Sequence, residues 1–138
     1  YQANEEALDN QPIRRMSSLT KEVLLHIDYE KIKRIRISNW SVLEDTLAYK
    51  NQIQLPATSE FECPMVYPYA VSNGQELRKK LIGNKVFVAR YWPNVLPCRG
   101  FELEYNLANN VVALPIDQRY GEKEMERIVG LINEFDKR

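Results

Sequence analysis

The side chains best equipped for chemistry in this sequence gather in one run, Arg90-Tyr91-Trp92-Pro93-Asn94, with Arg99 soon after and Arg119-Tyr120 farther on. A guanidinium can hold phosphate or carboxylate through two parallel N–H donors. A tyrosine or tryptophan ring offers a face on which a cation, sugar or base can lie. Arg90, Tyr91, Trp92, Asn94 and Arg119 are therefore the candidate substrate-binding residues. The competing reading packs Tyr91 and Trp92 in the core and leaves Arg90 solvated.

No catalytic set accompanies them. The single histidine, His26, lies between Leu25 and Ile27 on an amphipathic segment, where a packing role is expected, and no Ser/His/Asp or Cys/His arrangement is present. The carboxylate pairs Glu44/Asp45 and Glu122/Glu124 read as helix-surface residues. Ser72-Asn73-Gly74 has one glycine at a helix start, which capping explains without a phosphate loop. Cys63 and Cys98 could pair if close in space, but without an export signal reduced thiols are expected. With His26 they form no zinc-ligand spacing, so no metal is assigned. The basic run Lys31 to Arg36 could face phosphate, but Asp28 and Glu30 flank it, and a solvated helix face is the expectation.

The elements that must position these residues follow from periodicity. Ser17 or Ser18 caps a short helix ending near Ile27, and Asp28 caps a longer one over about Tyr29 to Tyr49. That helix shows Ile32, Ile35, Trp40, Leu43 and Leu47 at helical spacing, with Ile37 off the stripe. Its basic start and acidic end oppose the helix dipole, so tertiary contacts must hold it. A linker over Asn51 to Glu60 precedes a strand from Met65 to Val71, which Pro68 confines to an edge or a bulge. Ser72 and Gln75 fit a capping box, and Gly83 fits a left-handed stop for the helix carrying Leu77, Leu81 and Ile82. Val86-Phe87-Val88-Ala89 and Val111-Val112-Ala113-Leu114-Pro115 read as two buried strands joined by an irregular segment. A last helix begins near Gly121-Glu122 and shows Met125, Ile128, Val129, Ile132 and Phe135, with Lys137 and Arg138 at its negative end. The expected fold class is α+β: a small three-stranded sheet with helices packed on one face, preceded by the long helix.

The totals agree with one small domain. Residues 1–16 read as an exposed lead-in and 17–138 as the domain, since 138 residues suffice for one core and are few for two. Apolar residues at 44% and charged residues at 28% exclude disorder. Nineteen basic and nineteen acidic side chains cancel, which argues against nucleic acid or an anionic membrane as partner. No apolar run reaches the roughly 20 residues of a membrane span, and no secretory signal opens the chain, so a cytoplasmic setting is expected. The chain starts at Tyr1 without an initiating methionine, which suggests a processed product or a part of something longer.

Several segments, taken in order, resemble the C-terminal small domain of the DegT/DnrJ/StrS-type sugar aminotransferases, pyridoxal-phosphate enzymes of the aspartate aminotransferase fold type. Arg34-Ile35-Arg36-Ile37-Ser38-Asn39-Trp40-Ser41-Val42-Leu43 is similar to the family's Arg-x-x-Asn-aromatic-x-x-Leu interdomain helix. Met65-Val66-Tyr67-Pro68-Tyr69 resembles its aromatic-proline strand, and Glu76 to Leu81 the helix after it. Val86 to Pro93 resembles the strand that carries aromatic and proline residues near substrate, and Leu114-Pro115-Ile116 with the last helix resembles the family's ending. The family's usual histidine near the aromatic strand is replaced here by Arg90, Tyr91 and Trp92. The resemblance implies a domain that closes over a nucleotide-linked keto-sugar, working with a large cofactor-binding domain or a homodimer partner. The cofactor lysine belongs to that large domain, so no lysine here is assigned to pyridoxal phosphate, none is expected bound to this chain alone, and the chain is not expected to be catalytic by itself. The alternative is a non-catalytic α+β module that binds a small anionic metabolite or serves regulation.

Overall fold

The computed structural model describes residues 6–8, 11–56 and 63–137. Helices α1 (Ser18–Leu25) and α2 (Tyr29–Leu47) come first, and a 3-10 turn at Ala48–Lys50 extends the second. Strand β1 (Val66–Ala70) leads to α3 (Gly74–Gly83), then to α4 (Glu102–Asn110), β2 (Val111–Pro115) and α5 (Glu122–Asp136). The two strands pair antiparallel, with Tyr67 opposite Leu114 and Ala70 opposite Val111. The fold is α+β, and among the described residues the sheet has two strands.

The expected third strand is therefore corrected. Val86 to Ala89 alternates in burial, with Val86 and Val88 buried and Phe87 exposed, but among the described residues its only rung is an isolated antiparallel bridge between Ala89 and Ala113. Left-handed backbone at Lys85 (φ 64°) and Trp92 (φ 52°) brackets the segment and turns the chain away on both sides. Gly83 is also not the left-handed stop of α3; that position is Lys85. The amide of Lys85 donates to Ile82 O at 3.0 Å and that of Val86 to Leu81 O at 2.9 Å, the two bonds of a Schellman ending. The Ser72–Gln75 capping box does not form. Asn73 is the N-cap without a side-chain bond, Ser72 accepts from Gln52 Nε2 at 2.9 Å, and Gln75 Nε2 donates to Asn109 Oδ1. The segment between Trp92 and Val111, expected to be irregular throughout, contains α4.

The helix-capping and edge-strand expectations hold. Ser17 caps α1 and Asp28 caps α2, with Lys31 N donating to Asp28 Oδ1 at 2.8 Å. Pro68 sits on the outer edge of β1. There Asn51 supplies what a neighbouring strand would: its Nδ2 donates to Pro68 O at 2.9 Å and its Oδ1 accepts from Ala70 N at 2.9 Å. Residue 51 is thus an edge cap and not slack linker, while residues 57–60 of the expected linker lie outside the described residues. His26 is exposed and donates from Nδ1 to Glu22 O at 2.7 Å, so it closes α1 instead of packing.

The core joins Trp40, Leu43 and Leu47 of α2 to Tyr67 and Tyr69 of β1, Leu77 and Leu81 of α3, the β2 apolar run, and Met125, Ile128 and Ile132 of α5. A two-stranded ribbon is marginal alone, so these helices hold it. The two core tyrosines differ. Tyr67 donates to Glu44 Oε2 at 2.8 Å and packs edge-on against Trp40 at 4.9 Å; burial first, then Glu44, pushes its pKa well up. Tyr69 is equally buried, its hydroxyl has no hydrogen-bond partner, and burial pushes its pKa up to about 12. Tyr67→Phe is expected to cost about 1–2 kcal/mol and Tyr69→Phe nothing, because only the first removes a bond made in the fold. Equal losses in urea melts of the two variants would contradict this assignment.

Candidate functional site

The bridge at Ala89 delivers the Arg90-to-Asn94 run to the surface. Because the bridge is antiparallel, the chain leaving Ala89 travels toward the N-terminal end of β2. Arg90 and Tyr91 are half-buried, Trp92 is 69% exposed, and neither ring belongs to the core. The tyrosine and tryptophan rings lie 5.7 Å apart and tilted by 50°. The left-handed backbone at Trp92, followed by a 3-10 turn over Pro93–Val95, presents the indole outward. The core-packing alternative for Trp92 is excluded. Asn94 is exposed, and its carbonyl accepts from the Cys98 thiol at 3.4 Å. Arg99 lies beyond it in a groove lined by Leu96, Phe101 and Tyr105. Cys63 and Cys98 are both exposed free thiols.

Arg119 does not join this cluster. It follows the C-terminal end of β2, whereas Arg90 heads for the other end. Its guanidinium binds Asp117 through two bonds, Nε to Oδ1 at 2.9 Å and Nη2 to Oδ2 at 2.8 Å. The Arg119 hydrogen bond lowers the Asp117 pKa, and Arg36 adds to this. A folded pKa below the unfolded one gives a contribution present above the ordinary carboxylate range and lost as pH falls through the folded value. Arg119→Ala is expected to move the Asp117 titration upward in a carboxyl NMR experiment; an unmoved midpoint would deny the pairing.

Two groups carry more of the architecture than their sequence context suggests. Arg36, within the expected solvated face, is half-buried and clamps three segments. It donates to Gln118 Oε1 at 3.1 Å, Pro64 O at 3.1 Å and Met65 O at 3.2 Å. Asn39, one turn on, is buried and its Nδ2 meets the carbonyls of Ile116, Asp117 and Tyr120 at 3.1–3.3 Å. The second group is Arg78, only 6% exposed, whose Nη2 donates to Val111 O at 2.9 Å while Nε and Nη1 have no partner. Burial lowers its pKa, and the charge of Arg90 lowers it further. The signal for Arg78 was present in the spacing: Gly74, Leu77, Arg78 and Leu81 form the i, i+3, i+4, i+7 stripe that a helix buries.

Pyridoxal phosphate can be tested against the lysines. A Schiff-base lysine must become a neutral amine, which an apolar or cationic setting favours and an adjacent carboxylate opposes. Lys50 is held 2.8 Å from both Asp136 and Asn133, and the Asp136 hydrogen bond raises its pKa. Lys79 and Lys80 are paired with Glu76 and Glu134. These three do not fit the cofactor, and no step through it is assigned to this chain. Among the described residues no group of three or more His, Cys, Asp or Glu is placed to hold a metal ion, and no helix is long and apolar enough to cross a membrane. Comparison with protein-family profiles, with curated proteins and with solved structures gives no match.

Proposed function

We propose that this chain is the C-terminal small domain of a pyridoxal-phosphate-dependent aminotransferase of the DegT/DnrJ/StrS type, acting on a nucleotide-linked keto-sugar in the cytoplasm. The observation that carries this reading is where the dispersed family-like segments meet. Arg36 and Asn39, from the Arg-x-x-Asn helix, bind backbone at Pro64 and Met65 before the aromatic-proline strand and at Ile116, Asp117 and Tyr120 after Leu-Pro-Ile. A resemblance scattered over a separation of 81 residues thus becomes one structural joint.

Uncovered apolar surface supports a companion domain or subunit. Ile13, Met16, Leu19, Val23 and Leu25 are all more than half exposed along the approach to α2, as are Phe87 and Trp92 on the other segment. Patches of this kind mark surfaces that meet another protein or a ligand. Within the enzyme the cofactor supplies the transamination chemistry, and this domain orients substrate and excludes water. Arg90 offers a cation, Trp92 a stacking face and Asn94 a polar edge; Arg119 stays with Asp117.

The test has two measurements. The reading frame upstream of Tyr1 is expected to encode a doubly wound α/β domain with a serine-to-lysine signature. Added pyridoxal phosphate is expected to leave the 138-residue chain without a stoichiometric internal-aldimine absorbance. An unrelated upstream sequence, or a stoichiometric aldimine on this chain alone, would overturn the proposal.

A further inference from the structure

We propose that Arg78 and Arg90 together form a binding site for the oxyanion of a small molecule, a phosphate or a carboxylate. The inference stands on this chain's own geometry and does not require the aminotransferase reading.

Arg78 lies on the stripe of α3 that also buries Leu77 and Leu81, so its guanidinium is carried into the interior by the helix itself. A guanidinium has five N–H donors and no acceptor. Here one bond is made, to Val111 O, and Nε and Nη1 face no acceptor. Buried charges are ordinarily paired, because water has been removed from them and nothing else offsets the loss. The ion pairs among the described residues join Lys50 to Asp136, Lys79 to Glu76, Lys80 to Glu134 and Arg119 to Asp117. None of them reaches Arg78. The charge that bears on it is instead a second cation.

That cation is placed by the sheet. Ala89 bridges Ala113, two residues from the carbonyl that holds Arg78, and the next residue in the chain is Arg90. Arg78 is thus buried and Arg90 half-buried, both at the same end of β2, and neither is in an ion pair with a described acid. Two like charges brought together raise the energy of the empty site and lower that of the occupied one. An oxyanion meets both needs, since it accepts the idle N–H donors and neutralises the pair. Phosphate and carboxylate both match the planar fork of arginine, which lysine cannot reproduce. Tyr91 and Trp92 follow directly and supply rings beside the charge, as suits a small organic anion more than a bare ion.

The experiment follows the Arg78 Nε–H resonance of the 138-residue chain in ¹H–¹⁵N spectra, assigned by its loss in Arg78→Met. Inorganic phosphate and acetate are titrated at constant ionic strength against chloride. The expected result is a saturable shift at millimolar anion, weakened about tenfold in Arg90→Met. Arg90 is half-exposed, so that variant should keep the wild-type spectrum elsewhere and report on binding even if Arg78→Met folds poorly. A larger response to phosphate assigns a phosphate-bearing ligand, and a larger response to acetate assigns a carboxylate. No saturable shift with either anion, or a shift that Arg90→Met leaves unchanged, would overturn the site.

Discussion

Replacing Asn39 by alanine is expected to destabilise the chain by about 2–3 kcal/mol in equilibrium unfolding, one of its largest single-residue losses. The reason is the number of backbone groups that depend on one amide. Its Nδ2 serves the carbonyls of Ile116, Asp117 and Tyr120, all in the turn that carries the chain from β2 into α5. Asn39 is 2% exposed, so water does not simply take over. Deleting the donor leaves the carbonyls of Ile116 and Tyr120 without it, whereas Asp117 O keeps the Tyr120 amide at 3.1 Å, and an unsatisfied buried acceptor costs more than the net worth of its bond. Asn39→Asp sharpens the test. It would set a carboxylate against carbonyl oxygens, so the folded state favours the protonated acid and the folded pKa rises. The charge-dependent part of the penalty should then be absent below the unfolded carboxylate pKa and grow as pH climbs to the raised folded value. A pH-independent loss in that variant, or an Asn39→Ala loss below about 0.5 kcal/mol, would show that the turn is held by other contacts.

Gly74→Ala is expected to be comparably damaging, about 3 kcal/mol, through overpacking and not through lost bonds. A Cβ at this position would lie 2.6 Å from Asn110 Cα and 2.7 Å from its carbonyl carbon. Those are backbone atoms at the junction of α4 and β2, and the same junction accepts Val71 N at Asn110 O over 3.3 Å. No side-chain rotation relieves the clash, so α3 or the start of β2 must move. Since β2 begins at Val111, whose carbonyl holds Arg78, the shift would reach the proposed anion site as well. Gly130 is the control. It lies in α5, where a Cβ would meet nothing within 4 Å, and alanine there should gain about 0.5–1 kcal/mol as a better helix former. If Gly74→Ala and Gly130→Ala shift the denaturation midpoint in the same direction, close approach at Asn110 is not what requires the glycine.

Local rules placed most elements. Caps are short-range devices, so Ser17 and Asp28 could be read from a few neighbouring residues, and both form. The apolar stripe of α5 and the Trp40, Leu43 and Leu47 part of the α2 stripe are buried, because burial follows helical period where a partner surface lies; Ile32 and Ile35 are only partly buried. Pro68 announced an edge, since a residue without N–H cannot serve a central strand. The failures share a physical cause. Val86 to Ala89 has strand composition, but a strand needs a partner over several rungs, and left-handed Lys85 and Trp92 leave it one. Ser72 and Gln75 had the spacing of a capping box, but Gln52 and Asn109, far away in sequence, claim both side chains.

The candidate site divides in the same way. The sequence by itself determined that arginine and aromatic side chains are concentrated after Ala89, because composition is local, and that Leu77 and Leu81 share a helical stripe, because period is local; that Arg78 is buried with them, while Ile82 is exposed, came from the structure. Only the tertiary structure decided which of them meet. Antiparallel direction at a single bridge sends Arg90 to the end of β2 where Arg78 is buried, and leaves Arg119 at the other end with Asp117. Charge pairing depends on distances between residues remote in the chain, and no periodicity along the chain encodes those distances.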